Sequence, residues 1–289
     1  MLTRTLLPVA TVSAMVIAFW YVMVVVMNSA WTLDQAKRSG IELQFGEIVA
    51  DTMQQDRPRL PSPHQVGLEL WDATVAKKIT SRRSLVFHGW VTLSATMLGF
   101  VIGSLLGVLL AVSIVHSRVM DMGVMPWAIA SQTIPILALA PMIIVILNSV
   151  GISGLIPKAI ISAYLSFFPV VVGMVSGFRS PEFMQIDLLR TYNATKRQVF
   201  WKLRIPASVP FLFTSLKIGI AASLVGAIVG ELPTGAVAGL GARLLAGSYY
   251  GQTTQIWAAL FAAAILAASL VGAIGMLQRL TLARMGMDR

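Results

Sequence analysis

The sequence predicts an all-α integral membrane protein with six transmembrane helices. Of its 289 residues, 56% are hydrophobic and only 12% charged. The mean hydropathy is +0.78, a composition suited to lipid rather than water. The apolar residues gather into six segments, each near the roughly 20 residues a helix needs to cross a bilayer. Basic residues concentrate in alternate connections, the bias that sets the orientation of a multi-pass chain.

The first span is read from Leu6 to Met27. It is longer than the apolar region of a secretory leader and lacks a small-x-small cleavage site, so it is expected to be retained and to cross outward. Residues 28–84 hold eight basic and seven acidic side chains. That near-neutral balance gives no pull towards the cytoplasm, and the stretch is placed outside. Within it Ser62 is positioned to cap a helix and Pro63 to open it. Val66, Leu70, Trp71 and Val75 are expected on one side of that helix, either as an interfacial face or as a simple connector.

The second span runs from about Trp90 to Val115. Gly99, Gly103 and Gly107 are spaced by four and predict a close helix crossing. The third runs from about Val124 to Leu147 and contains Pro126, Pro135 and Pro141, which bend a helix and free carbonyl groups. Gln132 and Thr133 are polar at membrane depth. They fit a solute path and an inter-helix hydrogen bond equally well.

The fourth span is about Leu155 to Val175, with a small-residue pair at Gly173 and Gly177. The fifth is about Phe211 to Leu232, with Ala222, Gly226 and Gly230 on one face. Glu231 at its outer end fits either the mouth of a path or a carboxylate that is solvated or paired with Arg243. A glycine-rich outer connection from Pro233 to Thr253 leads to the sixth span, about Thr254 to Leu277. Arg279, Arg284 and Arg289 make a basic tail. The chain thus divides into 1–84, a first helix with an outer insert, and 85–289, a five-helix core with a polar loop at 178–210.

Several chemistries are excluded by what the sequence lacks. There is no cysteine, hence no disulfide, thiolate metal site or cysteine nucleophile. No Gly-x-x-x-x-Gly-Lys-Ser/Thr loop is present to cradle a nucleotide, so the chain is not expected to hydrolyse ATP. His64, His88 and His116 are scattered, so no metal site is expected. No catalytic cluster is visible, and the chain is not read as an enzyme. The spans are nearly free of ionisable groups, which disfavours a proton-coupled carrier. A stand-alone secondary carrier or channel is the alternative; it calls for an inverted repeat, and no convincing one is seen. The net charge of +10 is read as topology-setting loops rather than nucleic-acid binding.

One polar stretch stands apart: Asp187 to Pro210, DLLRTYNATKRQVFWKLRIPASVP. Between residues 179 and 217 there are seven basic and two acidic side chains, which places this loop in the cytoplasm. Its apolar residues recur at near-helical spacing. Asn193 interrupts them where a left-handed turn is expected, and Pro206 and Pro210 open the next span.

This stretch resembles the cytoplasmic "EAA" loop of permease subunits of bacterial ABC importers. Asp187 falls on the family's glutamate, Leu188 and Leu189 on its two alanines, Asn193 on its glycine and Ala194 on the following alanine. Phe200, Trp201, Lys202, Arg204, Pro206 and Pro210 match the remainder. Pro135 to Pro141, and Leu60-Pro61-Ser62-Pro63 with the helix after it, resemble the nitrate/sulfonate/taurine branch. The resemblance implies a type I ABC importer permease fold in the bacterial inner membrane, with both termini cytoplasmic. It implies ATPase subunits that bind ATP and dock on Asp187, Leu188, Leu189, Tyr192, Asn193, Ala194, Phe200, Arg204 and Pro206. A second permease subunit, identical or not, and a periplasmic solute-binding protein complete the implied assembly. The implied path would involve Gln132, Thr133, Pro135, Pro141 and Glu231. The implied solute is a small anion such as a sulfonate, taurine or nitrate, or a pyrimidine-like vitamin precursor. Residues 28–55 fall outside the family pattern.

Overall fold

The structure is a computed structural model that describes residues 2–233 and 238–287. Arg289 of the expected basic tail and residues 234–237 of the expected outer connection lie outside the described residues. The described chain is helical, and it divides into two compact units: 1–88 with 243–263, and 89–242 with 264–289.

In the first unit, α1 (Leu2–Ser39) is one helix of 38 residues. At 1.5 Å per residue it spans roughly 57 Å, well beyond a hydrocarbon core of about 30 Å. It therefore does not stop at Met27. The continuation explains the insert. Asn28 and Thr32 on α1 and Thr52 on α2 (Phe45–Gln54) are buried. The Asn28 amide donates to the carbonyls of Thr52 (3.2 Å) and Leu60 (2.9 Å). Its oxygen accepts from the backbone N–H groups of Arg59 (2.9 Å) and Leu60 (3.2 Å). Gln55 donates to the Thr32 hydroxyl at 2.9 Å, which in turn donates to Asp51 at 2.7 Å. Every polar group of Asn28 is thus satisfied, and the insert is clamped back on α1.

Next, α3 (Pro63–Trp71) starts as the sequence predicts, with Ser62 and Gln65 forming a capping box and proline in the first turn. Its faces differ from expectation. Val66 and Ala73 are buried and Leu70 half-buried, while Trp71 and Val75 are exposed beside Leu68. At about 100° per residue Leu68, Trp71 and Val75 lie roughly opposite Val66, and a π turn at Asp72–Ala76 follows. Trp20 of α1 donates to the Pro61 carbonyl at 3.1 Å. Its ring lies 4.8 Å from that of Trp257.

In the second unit, α4 (Leu85–His116) crosses α7 (Leu155–Arg179) through the predicted glycine face. A Cβ at Gly99 would lie 2.5 Å from the Ala159 carbonyl oxygen, and one at Gly103 2.7 Å from that of Ala163. Helix α10 (Ile205–Glu231) packs on α7 and on α4 alike, and its Ser223 hydroxyl donates to the Thr96 carbonyl of α4 at 2.8 Å. Gly226 there meets the backbone of Ser162, and Gly173 and Gly177 of α7 meet Ser215 and Ser208. The three helices thus meet one another at backbone distance, which lipid-facing leucines alone would not specify.

The third predicted span is not one helix. It forms α5 (Arg118–Ser131) and α6 (Ile136–Ser149), bent by 99° at Gln132–Pro135. Each arm has 14 residues, roughly 21 Å, too short to cross alone. The cause is local: Pro135 has no N–H to donate and bars Ile134 from helical geometry. Pro126 and Pro141 sit inside the arms without breaking them. The described residues therefore contain five helices long and apolar enough to cross a membrane, or six if the bent pair is one span.

After α8 (Phe183–Thr191) and α9 (Lys196–Val199) the chain enters α10. The glycine-rich connection expected on the outer side holds α11 (Leu240–Tyr249), and α12 (Thr253–Arg284) is the last described helix. The glycines of α11 mask its helical pattern.

The α4–α7 crossing is open to a direct test. Gly103→Leu forces side-chain atoms into the Ala163 backbone and the Ser166 hydroxyl. Overpacking of this kind costs about 1–3 kcal/mol, so the detergent-purified protein should melt several degrees lower. Gly123→Ala, where an added Cβ meets open space, should melt no lower than the parent. Equal melting of the Gly103→Leu variant and the parent would contradict the crossing.

Candidate functional site

The segment from Phe183 to Arg204 is built from two short helices and two specialised turns. The first helix, α8, closes with a Schellman motif: Asn193 N–H donates to the Arg190 carbonyl (2.9 Å), and Ala194 N–H to the Leu189 carbonyl (3.0 Å). That motif demands a left-handed residue at its pivot. Asn193 has φ of +55°, the only positive φ at a non-glycine among the described residues. Asparagine tolerates this region better than any residue but glycine. Ala194 and Leu189 are half-buried.

Thr195 then caps α9. Its hydroxyl accepts from the Gln198 N–H at 3.3 Å, and the Gln198 side chain accepts from the Thr195 N–H at 2.8 Å. A π turn follows at Phe200–Arg204, closed by Ile205 N–H to the Phe200 carbonyl. Its physical cause is Pro206, whose missing N–H and ring exclude the ordinary bond to the Lys202 carbonyl. The wide turn rotates Phe200 inward. Phe200 is 8% exposed and lies 5.2 Å from Phe178 and 4.6 Å, edge-on, from His116. These belong to a core with Ala111 and Ile114 of α4 and Val171, Met174 and Val175 of α7.

Two opposite faces of α8 emerge. Met184, Leu188 and Tyr192 form an apolar stripe spaced by four; they are 79%, 58% and 79% exposed. Ile186, Arg190 and Ala194, also spaced by four, are rotated from it by roughly 200°. They line a cleft of about 290 Å³ against Val115, His116 and Phe200. Of the residues that sequence reasoning assigned to docking, Leu188, Tyr192, Asn193 and Asp187 are therefore on the open surface. Leu189, Ala194, Arg204 and Pro206 are half-buried, and Phe200 is an internal anchor. Met184, which the sequence reading did not single out, completes the open stripe. Its spacing of four from Leu188 was the available signal.

The residues assigned to a path separate into two groups. Gln132, Thr133 and Pro135 form the α5–α6 elbow, with Pro141 in the following arm. The break frees carbonyls, and side chains satisfy them: the Tyr164 hydroxyl of α7 donates to the Ser131 carbonyl, and Thr133 donates to that of Ala130 at 2.8 Å. Thr133 and Pro135 are exposed and Gln132 half-buried. The α6 arm packs through Ala140 and Ile144 on Ile161 and Val229.

Glu231 is not in that group, and it is not solvated; its side chain is fully enclosed. It accepts from the Thr92 hydroxyl (3.0 Å) and from the Gly241 N–H (2.8 Å) at the start of α11. Its cationic neighbour is Lys158, at 3.8 Å, rather than Arg243. Lys158 also donates to the Ala238 carbonyl at 3.2 Å. Gly239 has φ of +127°, and a Cβ there would lie 2.1 Å from the Glu231 carboxyl carbon. Glu231 therefore clasps the start of α11 to the ends of α7 and α10. Thr92 and Lys158 are far from Glu231 in sequence, and no motif announces them.

A helix, a left-handed asparagine turn, a capped basic turn and a proline-opened span thus follow one another in this segment. The family model of binding-protein-dependent transport system inner membrane components matches residues 103–286. The chain belongs to this family of ABC transporter permeases.

Relatives agree. The chain is 34% identical over 183 residues to the formylaminopyrimidine transport permease protein of Halalkalibacterium halodurans, covering 63% of this chain and 68% of the relative. It is 31% identical to the riboflavin transport system permease protein of Chloroflexus aurantiacus, covering 76% and 78%. It is 23% identical to a putative aliphatic sulfonates transport permease protein of Bacillus subtilis, covering 72% and 71%. The permease is thus a multi-pass inner-membrane protein, all-α, whose relatives are transport proteins.

Asn193 gives the site its sharpest local test. Glycine accepts the same backbone conformation, so Asn193→Gly should leave the melting temperature and the helicity of the segment unchanged. Asn193→Val forces a β-branched residue into left-handed geometry at a cost of about 1–2 kcal/mol. Faster amide exchange at Asn193 and Ala194 in the valine variant alone is the expected outcome.

Proposed function

We propose that this permease is the membrane-spanning subunit of an ATP-driven importer, coupled to a separate ATPase through the open face of α8. The observation that carries this reading is the opposition of the two faces. The Met184–Leu188–Tyr192 stripe is unpartnered, whereas the residues following it are fixed to α4 and α7 through Phe200. An amphipathic helix with its free face in a partner's groove is a common docking mode. Anchored in this way, it transmits displacement to the bundle rather than absorbing it.

The basic balance of residues 179–217 supports a cytoplasmic position for α8, and alternation of the spans then puts both termini on that side. ATP is held by the partner, since the chain carries no phosphate-binding loop. A second permease subunit and a solute-binding protein on the outer side follow from the family. Each must favour one conformation over the other to drive transport. The formylaminopyrimidine and riboflavin relatives support a nitrogen heterocycle as solute; the sulfonate relative supports a small anion.

Leu188→Asp tests this reading. Leu188 is exposed in the isolated chain, so folding and insertion should be unaffected. In a docked groove the unpaired charge costs on the order of several kcal/mol. The variant should reach the membrane at normal levels, co-purify with at least tenfold less ATPase and lose solute uptake. Undiminished ATPase association and uptake would remove α8 as the coupling element.

A further inference from the structure

We propose that the cleft between α8, the end of α4 and the α9–π turn segment is a binding site for a phosphate oxyanion, presented by an anionic phospholipid headgroup. The inference shares with the preceding section only the placement of α8 at the membrane surface. The cleft has a volume of about 290 Å³, and Arg190, Lys196, Arg204 and His116 converge on it; no carboxylate is among its lining residues. Among the described residues, Lys196 and Arg204 are in no ion pair. The Arg190 guanidinium is partly engaged by Asp187 at 3.0 Å, outside the lining. The His116 Nδ1 bonds the Val112 carbonyl at 2.8 Å, which leaves Nε2 for a ligand.

Cations gathered around a concavity whose lining holds no carboxylate call for an anion. Arginine forks and a lysine ammonium suit phosphate in particular. The walls are not uniformly polar: Val115, Val199 and Phe200 supply apolar surface on which the glycerol and first acyl carbons of a lipid fit. Depth points the same way. Trp201, 61% exposed, sits beside Lys202 at the foot of α10, the aromatic and basic pairing found at headgroup level. A phospholipid phosphate lies at that level, and each surface cation is worth roughly fivefold in affinity for an anionic lipid. A lipid held here would wedge the coupling helix against the bundle from the side opposite its docking face.

The test uses the purified full-length chain and native mass spectrometry, with phosphatidylglycerol or phosphatidylcholine titrated and inorganic phosphate as competitor. Phosphatidylglycerol should bind tighter than phosphatidylcholine. Lys196→Gln with Arg204→Gln should weaken its binding by roughly 25-fold. Lys37→Gln with Arg38→Gln removes the same charge from the end of α1 and should retain the preference. Equal binding of the two lipids, or a preference unaltered by the Lys196/Arg204 pair, would overturn the site. Displacement by millimolar inorganic phosphate would assign it to free phosphate and overturn the lipid source. No ATPase enters this measurement, so its failure is distinct from a failure of the docking reading.

Discussion

The ring of Phe200 fills the space between the ends of α4 and α7, and the polar segment owes its position to that contact. Without it, residues 183–204 are two short helices, each below the length at which an isolated helix is stable in water. Tertiary anchoring must therefore hold them. The anchor is itself produced by a proline. Pro206 denies the Lys202 carbonyl its partner, the chain widens into a π turn, and the turn presents Phe200 to Phe178 and His116. A residue whose usual effect is to break helices here joins a surface helix to a membrane span. The outward stripe of α8 remains free because the opposite face lines the cleft.

The bundle behind the anchor is suited to move as a body. Glycine faces on α4 and α10 bring both helices to backbone distance from α7, so these three elements share one packed layer. The α5–α6 elbow is joined to that layer by Tyr164 at its freed carbonyl and by Ala140 and Ile144. Irregular backbone at membrane depth is tolerated where protein satisfies it, and the elbow meets that condition while leaving Thr133 and Pro135 open. At the other end of α10, the Glu231 clasp fixes where the connection to α11 ends. A buried carboxylate with two donors and a lysine close by is costly to disturb, which favours one geometry for Gly239–Gly241.

Much of this was legible in the sequence because its causes are local. Helix spans follow from apolar runs, the α4–α7 crossing from glycines spaced by four, the α3 start from Ser62-Pro63, and the left-handed turn from Asn193. What escaped depends on distant partners or on backbone adjustments. The break at Gln132–Pro135 was read as a bend because three prolines looked alike, and only the backbone shows that Pro135 parts the helix while Pro126 and Pro141 stay inside its arms. The extension of α1 past Met27 was hidden because Asn28 reads as polar until Thr52, Arg59 and Leu60 are seen to satisfy it. The exposure of Trp71 and Val75 agrees with helical periodicity, which sets them roughly 140° and 180° from the buried Val66; grouping all four on one side spread the face too widely. The surroundings of Glu231 come from Thr92 and Lys158, which no spacing links to it. In residues 183–204, the candidate residues were identifiable as a set, but their division into open face, turn and anchor was not.

The central claim is that α8 and α4 move as one body because Phe200 joins them. It is tested most directly by a distance between spin labels at Gln185, exposed on α8, and Leu109, exposed on α4. The chain has no cysteine of its own, so a labelled pair is unambiguous. In the complex with its ATPase, the distance distribution should be the same with and without trapped ATP, and Phe200→Ala should broaden it. A shift of that distance between nucleotide states in the parent protein would contradict the account.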